Sequence, residues 1–68
     1  MVKNSLILGG AGALGKSVVT SFKRGGWRVL NVDLNENGEA DKNLKIETSP
    51  MKLQVPNIVA ETKSFAKE

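Results

Sequence analysis

Apolar residues in the first half of the chain form two short continuous runs with a helical pattern between them. The run Leu6-Ile-Leu8 predicts a strand over 2–8, because a parallel strand covered on both faces is apolar at successive positions. A second apolar run predicts a strand over 27–33, and the spacing between the runs predicts a helix over 13–24. Together these elements form a β-α-β unit over 2–33.

The helix predicted over 13–24 should turn one apolar face toward the sheet. Leu14, Val18 and Phe22 recur at every fourth residue and are expected to form that face. Gly25-Gly26 follows and predicts the end of the helix, since glycine takes the left-handed conformation of a helix C-terminus without strain.

The second half of the chain carries weaker patterns. Residues 35–43 are polar and rich in turn formers, which predicts a loop. Alternation over 44–47 predicts a short third strand at a sheet edge. Ser49-Pro50 is typical of a helix start, with proline at the first helical position. Pro56 is expected to interrupt any helix begun there, and a helix is expected over 57–67.

The size of the chain limits what it can build. Sixty-eight residues form at most one small domain, whose core supplies only about 3–5 kcal/mol of net stability. There is no cysteine to add a disulfide, and two Phe and one Trp are the only aromatic residues. We therefore expect residues 1–68 to form a single partial α/β domain, supported by another chain or by copies of itself. Its fold would be the N-terminal portion of a Rossmann-type parallel sheet, β-α-β-β plus a C-terminal helix.

The charge of the chain is moderate and dispersed. Ten basic and seven acidic residues give a net charge of +3, and Lys23-Arg24 is the only basic cluster. Nucleic-acid binding needs a basic patch with stacking aromatic residues, so no nucleic-acid partner is expected. Met1 leads almost directly into the first predicted strand, and we expect no leader peptide, no membrane span and a cytoplasmic location.

A glycine-rich turn between the first strand and the helix satisfies two phosphate-binding patterns. Gly10-x-Gly12-x-x-Gly15 is the fingerprint of a dinucleotide loop. In that loop Gly10 would make the tight turn, Gly12 would let a pyrophosphate approach the backbone, and Gly15 would let helix and strand pack closely. The same stretch reads Gly10-x4-Gly15-Lys16-Ser17, formally a P-loop. There Lys16 would reach the phosphates and Ser17 would bind Mg²⁺.

The dinucleotide pattern also requires an acidic residue about 20 residues further on, at the end of the second strand. Asp33 stands at that place. Its carboxylate would accept hydrogen bonds from ribose hydroxyls and repel a 2′-phosphate, which favours NAD(H). Gly9 adds a second register, Gly9-x-x-Gly12-x-x-Gly15, that a P-loop does not explain. The residues favour the dinucleotide interpretation and leave open both the P-loop and a tight strand-helix junction without a ligand.

Two further candidates have ordinary structural explanations. Glu36, Glu39 and Asp41 could suggest a metal site, but the chain has no His or Cys and a solvated loop is the simpler interpretation. No metal is expected. Trp27 could stack on a base, yet directly before an apolar strand it is expected to pack at the base of the sheet.

Several of these residues recur together in a known family. They are Gly9-Gly10-Ala11-Gly12-Ala13-Leu14-Gly15, Val18-Val19, Phe22, Trp27, Val32-Asp33, Glu36-Asn37 and Ala40. In this set the chain resembles the amino-terminal quarter of the quinonoid dihydropteridine reductase family, within the short-chain dehydrogenase/reductases. The resemblance implies a Rossmann fold, NADH as cofactor, and hydride transfer to quinonoid dihydropterin. It implies Gly9 to Gly15 as the pyrophosphate loop and Asp33, followed by Leu34, as the ribose-binding position.

The chain departs from that family in its catalytic groups. Short-chain reductases use a Tyr-x-x-x-Lys pair, and this chain contains no Tyr. We therefore expect no catalytic residue here, no turnover by the chain alone, and contact with the pterin only in the presence of the missing remainder of the domain. The first strand would be an open sheet edge available to another chain. A non-catalytic Rossmann module with a structural or nucleotide-sensing role remains an alternative.

Overall fold

A parallel sheet of three strands lies between two helices in the computed structural model, which describes residues 2–68. The elements follow in the order β1 (Asn4–Leu8), α1 (Ala13–Arg24), β2 (Arg28–Asp33), β3 (Lys42–Lys45) and α2 (Met51–Lys67). The strand order is β1-β2-β3, and both neighbouring pairs are parallel. This confirms the α/β class and a partial Rossmann-like sheet.

The central strand β2 supplies most of the core. Leu30 and Val32 are buried on the face that packs against Phe65 of α2. Successive side chains of a strand point to opposite faces, so Val29 and Asn31 face the other side, where Val19 of α1 is buried. Because β1 and β3 are both edge strands, β2 alone has neighbours on both sides and both faces covered.

Helix α1 has the predicted bounds and ends as predicted. The N–H of Gly26 donates to the Lys23 carbonyl at 3.1 Å, and the N–H of Trp27 donates to the Phe22 carbonyl at 3.0 Å. These two bonds satisfy carbonyls that a helix end leaves free. The rings of Trp27 and Phe22 meet edge to face with centroids 5.1 Å apart, so Trp27 serves as a packing residue.

The predicted inner face of α1 is only partly correct, because Phe22 packs against Trp27 but Leu14 does not pack against the sheet. Val19 is the buried residue of the helix, whereas Leu14 is 80% exposed and Val18 is half-buried. The helix lies over β1 and β2, with Val19 facing the sheet. Leu14 and Val18 lie on the side of the helix that projects past the outer edge of β1. There Leu14 and Val18 line an open groove with Leu6 and Leu8. We refer to these four side chains as the apolar flank.

Strand β3 begins earlier than the alternation predicts. It spans Lys42–Lys45 instead of 44–47, and the loop predicted over 35–43 is correspondingly shorter. The reason is a pair of hydrogen bonds just before the strand. The N–H of Asp41 donates to the Val29 carbonyl at 2.9 Å, and the Asp41 carboxylate accepts the Val29 N–H at 2.7 Å. Pairing with β2 therefore starts at a polar residue, where an apolar pattern gives no signal.

The prediction that Pro56 interrupts the C-terminal helix is also wrong. Helix α2 runs continuously over Met51–Lys67 and contains Pro56, so it begins six residues before the predicted 57–67. A proline within a helix removes one N–H···O bond, here the bond to the carbonyl of Lys52, which lies on the exposed side. Water can satisfy that carbonyl.

The start of α2 is held by a side chain within the helix. Pro50 is the N-cap and not the first helical residue, so the helix starts one residue later than Ser49-Pro50 predicts, and no side chain caps the helix. Gln54 donates to the Ser49 carbonyl at 2.8 Å and accepts the Glu47 N–H at 2.8 Å. These bonds join the segment after β3 to the first turns of α2.

Asp41 couples α1 to the sheet through charge. Its carboxylate accepts hydrogen bonds from the Lys23 ammonium at 2.8 Å and from the Val29 N–H at 2.7 Å. Partial burial acts to raise the pKa of Asp41, but the bonds from Lys23 and Val29 outweigh it and the pKa is lowered. The ionised form is therefore favoured by folding.

We expect Asp41→Asn to lower the free energy of unfolding at pH 7, because it removes the ion pair with Lys23. The loss should be only about 0.5–1 kcal/mol, because water screens a partly exposed ion pair. The folded-state pKa lies below the ordinary value of about 3.9, so the stabilisation is present above pH 4 and disappears as the pH falls through the folded-state pKa. Urea unfolding of both proteins at pH 7 and pH 2.5 measures this. A difference of the same size at both pH values would contradict the role assigned to the carboxylate.

Candidate functional site

The glycine loop joins the carboxyl end of β1 to the start of α1. Gly9 has φ +77°, in the left-handed region that favours glycine, and its carbonyl accepts the Gly12 N–H at 3.1 Å. This bond closes a tight turn over 9–12 in which Gly10 is a central residue, and the left-handed residue that opens the turn is Gly9. The N–H of Gly9 also donates to the Val32 carbonyl at 2.9 Å, which fixes the start of the loop beside β2.

Gly15 allows the first turn of α1 to lie directly on the loop. A Cβ atom at this position would overlap the Gly9 carbonyl and stand 2.8 Å from the Gly10 Cα. At Gly12 a Cβ would meet only the Gly9 oxygen, at 3.6 Å, with open space beyond. Gly15 thus permits a close approach, as predicted, but the helix packs there against the loop and not against the strand, and the outer side of Gly12 is bare.

The start of α1 presents unpaired backbone donors to the loop. Gly12 is the N-cap, no side chain caps the helix, and the first turn contains no acidic residue. Ala13 and Leu14, in that turn, are exposed. The first N–H groups of a helix lack partners within the helix and carry partial positive charge, so this end suits an anion.

Asp33 lies at the end of β2, directly beside the loop. Its Oδ2 accepts the N–H of Ala11 at 2.8 Å, although 22 residues separate the two in sequence. Its Oδ1 accepts the N–H groups of Leu34 at 2.6 Å and Asn35 at 3.4 Å. The Ala11 bond lowers the pKa of Asp33, burial opposes it, and the bonds from Leu34 and Asn35 lower it further. The carboxyl is therefore ionised at neutral pH.

The carboxylate of Asp33 has capacity left for a ligand. A carboxylate offers about four lone pairs, and three backbone N–H groups use them here, two on Oδ1 and one on Oδ2. The remaining acceptor position is on Oδ2. Leu34, which is also predicted to bind the cofactor, is 45% exposed and follows Asp33 directly in the chain.

Three asparagine side chains beneath the loop form a cluster that the sequence analysis does not predict. This asparagine cluster consists of Asn31, Asn37 and Asn43, of which the first two are buried. Asn37 Nδ2 donates to the Gly10 carbonyl at 2.8 Å and so touches the loop itself. A signal was present, because Asn31 is a polar residue in the middle of the apolar run that forms β2.

The P-loop residues are not brought to Asp33. Lys16 and Ser17 lie on the exposed surface of α1, and the loop residue that Asp33 binds is Ala11. Lys16 uses its backbone N–H to bind the Gly12 carbonyl at 2.7 Å, an ordinary bond of a first helical turn.

The acidic loop after β2 is engaged in protein contacts. Glu39 accepts the hydroxyl of Thr20 at 2.7 Å, and Asp41 pairs with Lys23. Among residues 2–68 there is no group of three or more acidic, His or Cys side chains that could hold a metal ion. Over the same range no helix is both long enough and apolar enough to cross a membrane.

Fold and site together define a partial Rossmann-like α/β unit, with a glycine loop after β1 and an acidic residue after β2. No protein-family model matches the chain. The chain is similar to a dihydropteridine reductase from Dictyostelium discoideum, with 47% identity over 49 residues. The match covers 72% of this chain and 21% of that protein, so the chain spans about a fifth of the length of this relative.

Proposed function

We propose that the chain binds NADH at the glycine loop and serves as the cofactor-binding part of an oxidoreductase. The observation that carries this proposal is the bond between Asp33 and Ala11, which places an ionised carboxylate 2.8 Å from a loop N–H. The adenosine ribose would donate a hydroxyl to the free position on Asp33 Oδ2, next to Leu34. A 2′-phosphate there would meet a negative charge, so NADH is preferred over NADPH.

The pyrophosphate would occupy the open side of the loop. Gly12 leaves its backbone bare there, and the uncapped start of α1 supplies N–H donors with partial positive charge. Ala13 and Leu14 belong to this turn, and Gly15 keeps it close to Gly9. The seven residues of the predicted loop thus contribute mainly through their backbone, as anion recognition requires.

The reaction that we propose is taken from the name of the similar Dictyostelium protein. The Dictyostelium protein is named a dihydropteridine reductase, and we propose that this chain supports the same class of reaction, hydride transfer from NADH to quinonoid dihydropterin. The chain contains no Tyr, so the proton donor and the pterin site would come from sequence outside these 68 residues. The isolated chain would then bind cofactor without turning it over.

The segment that completes the domain would pair along the open edge of β1. This strand has a neighbour on one side only, and its outer edge adjoins the apolar flank. A further strand placed there would satisfy free backbone groups and cover Leu6, Leu8 and Leu14. The strand could belong to another chain or to a second copy of this one.

Calorimetric titration tests the cofactor proposal. We expect Asp33→Ala to weaken NADH binding about 10- to 100-fold, because a hydrogen bond to a charged group contributes about 1.5–3 kcal/mol. Glu36→Ala removes an exposed carboxylate from the neighbouring loop and is the matched control, with affinity unchanged. Lys16→Ala should also leave the affinity unchanged. Binding of Mg·ATP that is lost in Lys16→Ala, without NADH binding, would instead establish the P-loop.

A further inference from the structure

One peptide group of the glycine loop is held at both of its ends. The carbonyl of Gly10 accepts a hydrogen bond from Asn37 Nδ2 at 2.8 Å. The N–H of the same peptide, on Ala11, donates to Asp33 Oδ2 at 2.8 Å. In a planar trans peptide the carbonyl and the N–H point in opposite directions, so fixing one fixes the other. The inward bond from Asn37 therefore sets the outward direction of the Ala11 N–H.

Asn37 is itself firmly held. Its backbone N–H donates to Asn43 Oδ1 at 2.9 Å, and its carbonyl accepts Asn43 Nδ2 at 3.1 Å. Its side-chain oxygen accepts the Glu39 N–H at 2.8 Å. Asn37 is 6% exposed, so water cannot readily replace its bond to Gly10. Asn31 Nδ2 completes the asparagine cluster by donating to Asn43 Oδ1 at 2.9 Å.

Asn31 restricts the loop from below. It is fully buried, and its Oδ1 has no hydrogen-bond partner within residues 2–68. A Cβ atom on Gly10 would overlap this oxygen, so a hydrogen of Gly10 faces it instead. Glycine at position 10 therefore lets the Gly10–Ala11 peptide lie between Asn31 and Asn37 without a clash. This need for glycine concerns close approach, because Gly10 does not have a positive φ.

We propose that Asn37 is a positioning residue of the cofactor site. It holds the Gly10–Ala11 peptide so that the Ala11 N–H keeps the Asp33 carboxylate at the mouth of the loop, where it can receive the ribose. Asn31 and Asn43 hold Asn37 and the loop in register. The part of this inference that concerns the ribose rests on the proposed function, whereas the orientation of the peptide does not.

Amide hydrogen exchange followed by NMR tests the orientation without a ligand. In Asn37→Ala the exchange of the Ala11 amide should rise at least 10-fold relative to the amides of β2. Asn37→Asp, a second variant, keeps the size and the acceptor for Glu39 but places an oxygen against the Gly10 carbonyl, and should act in the same direction. Ser5→Ala is the control, because it removes a half-buried bond to the Arg28 carbonyl, 2.9 Å long, far from the loop. It should leave the exchange ratio unchanged.

NADH titration tests the link to Asp33. Asn37→Ala should weaken binding about 10-fold in the natural chain and less than 2-fold in Asp33→Ala, because a residue that acts through Asp33 loses its effect with it. Equal losses in both backgrounds would overturn this link. An unchanged Ala11 exchange ratio in both Asn37 variants would overturn the inference as a whole. Failure of the natural chain to bind NADH would refute the proposed function, and the exchange ratio would still decide the role of Asn37.

Discussion

Replacing Gly15 by alanine is expected to remove most of the stability of the chain. The added methyl group would overlap the Gly9 carbonyl, which belongs to the backbone and cannot rotate away. Overpacking of this kind costs about 1–3 kcal/mol, and contact with backbone places it at the upper end. A chain of this size has about 3–5 kcal/mol in total. Thermal unfolding followed by circular dichroism should show the midpoint falling by about 10 °C or more.

Gly12→Ala is the matched control for this prediction. Gly12 has φ −74°, which suits alanine, and a Cβ there would come no closer than 3.6 Å to the Gly9 oxygen. Its unfolding midpoint should fall by only about 2–6 °C, because replacing glycine by alanine at an N-cap costs about 0.5–1 kcal/mol. Under the proposed function the same variant should lose NADH affinity, because its methyl group enters the space of the pyrophosphate. Equal midpoints for Gly15→Ala and Gly12→Ala would show that α1 does not pack on the loop.

Replacing Leu30 by alanine is expected to leave the chain mostly unfolded at 25 °C. Leu30 is fully buried in the centre of β2 and packs in the cluster with Phe65. Truncation of a buried leucine costs about 2–5 kcal/mol, which is comparable to the whole stability expected for the chain. Urea unfolding followed by circular dichroism should show no folded baseline. Leu53→Ala removes the same atoms from a side chain that is 69% exposed, and should unfold like the natural chain. Folded Leu30→Ala would mean that the core lies elsewhere.

The sequence predicts the order of the elements in the first half well, although not which face of α1 packs against the sheet. Residues 13–24 form α1 as expected, and Asp33 ends β2 as expected. The second half follows tertiary contacts that leave no local pattern. Strand β3 starts where Asp41 binds Val29, and α2 continues through Pro56 because the lost bond faces water. Neither event can be predicted from apolar spacing.

The sequence predicts that the glycine loop and Asp33 lie close together, but it does not predict the detailed geometry between them. The glycines and Asp33 come together around Ala11, since the carboxyl ends of neighbouring parallel strands share one edge of the sheet. The glycine pattern does not say which residue takes the left-handed conformation, because several glycines of the loop could adopt it and the structure places it at Gly9. Asn37 enters the sequence prediction only through the family resemblance. Its contact with Gly10 depends on how the loop after β2 folds back, which no motif encodes.

The open edge of β1 bears on the behaviour of the chain at high concentration. An unpaired strand with apolar side chains is a template for amyloid-like association. Such association needs about six or seven consecutive residues of high strand propensity without charge or glycine. Here the apolar run Leu6–Leu8 ends at Gly9, and Lys3 lies shortly before it, where a charge opposes stacking of further chains. The glycine loop therefore also shortens the apolar segment, and this shortening opposes aggregation.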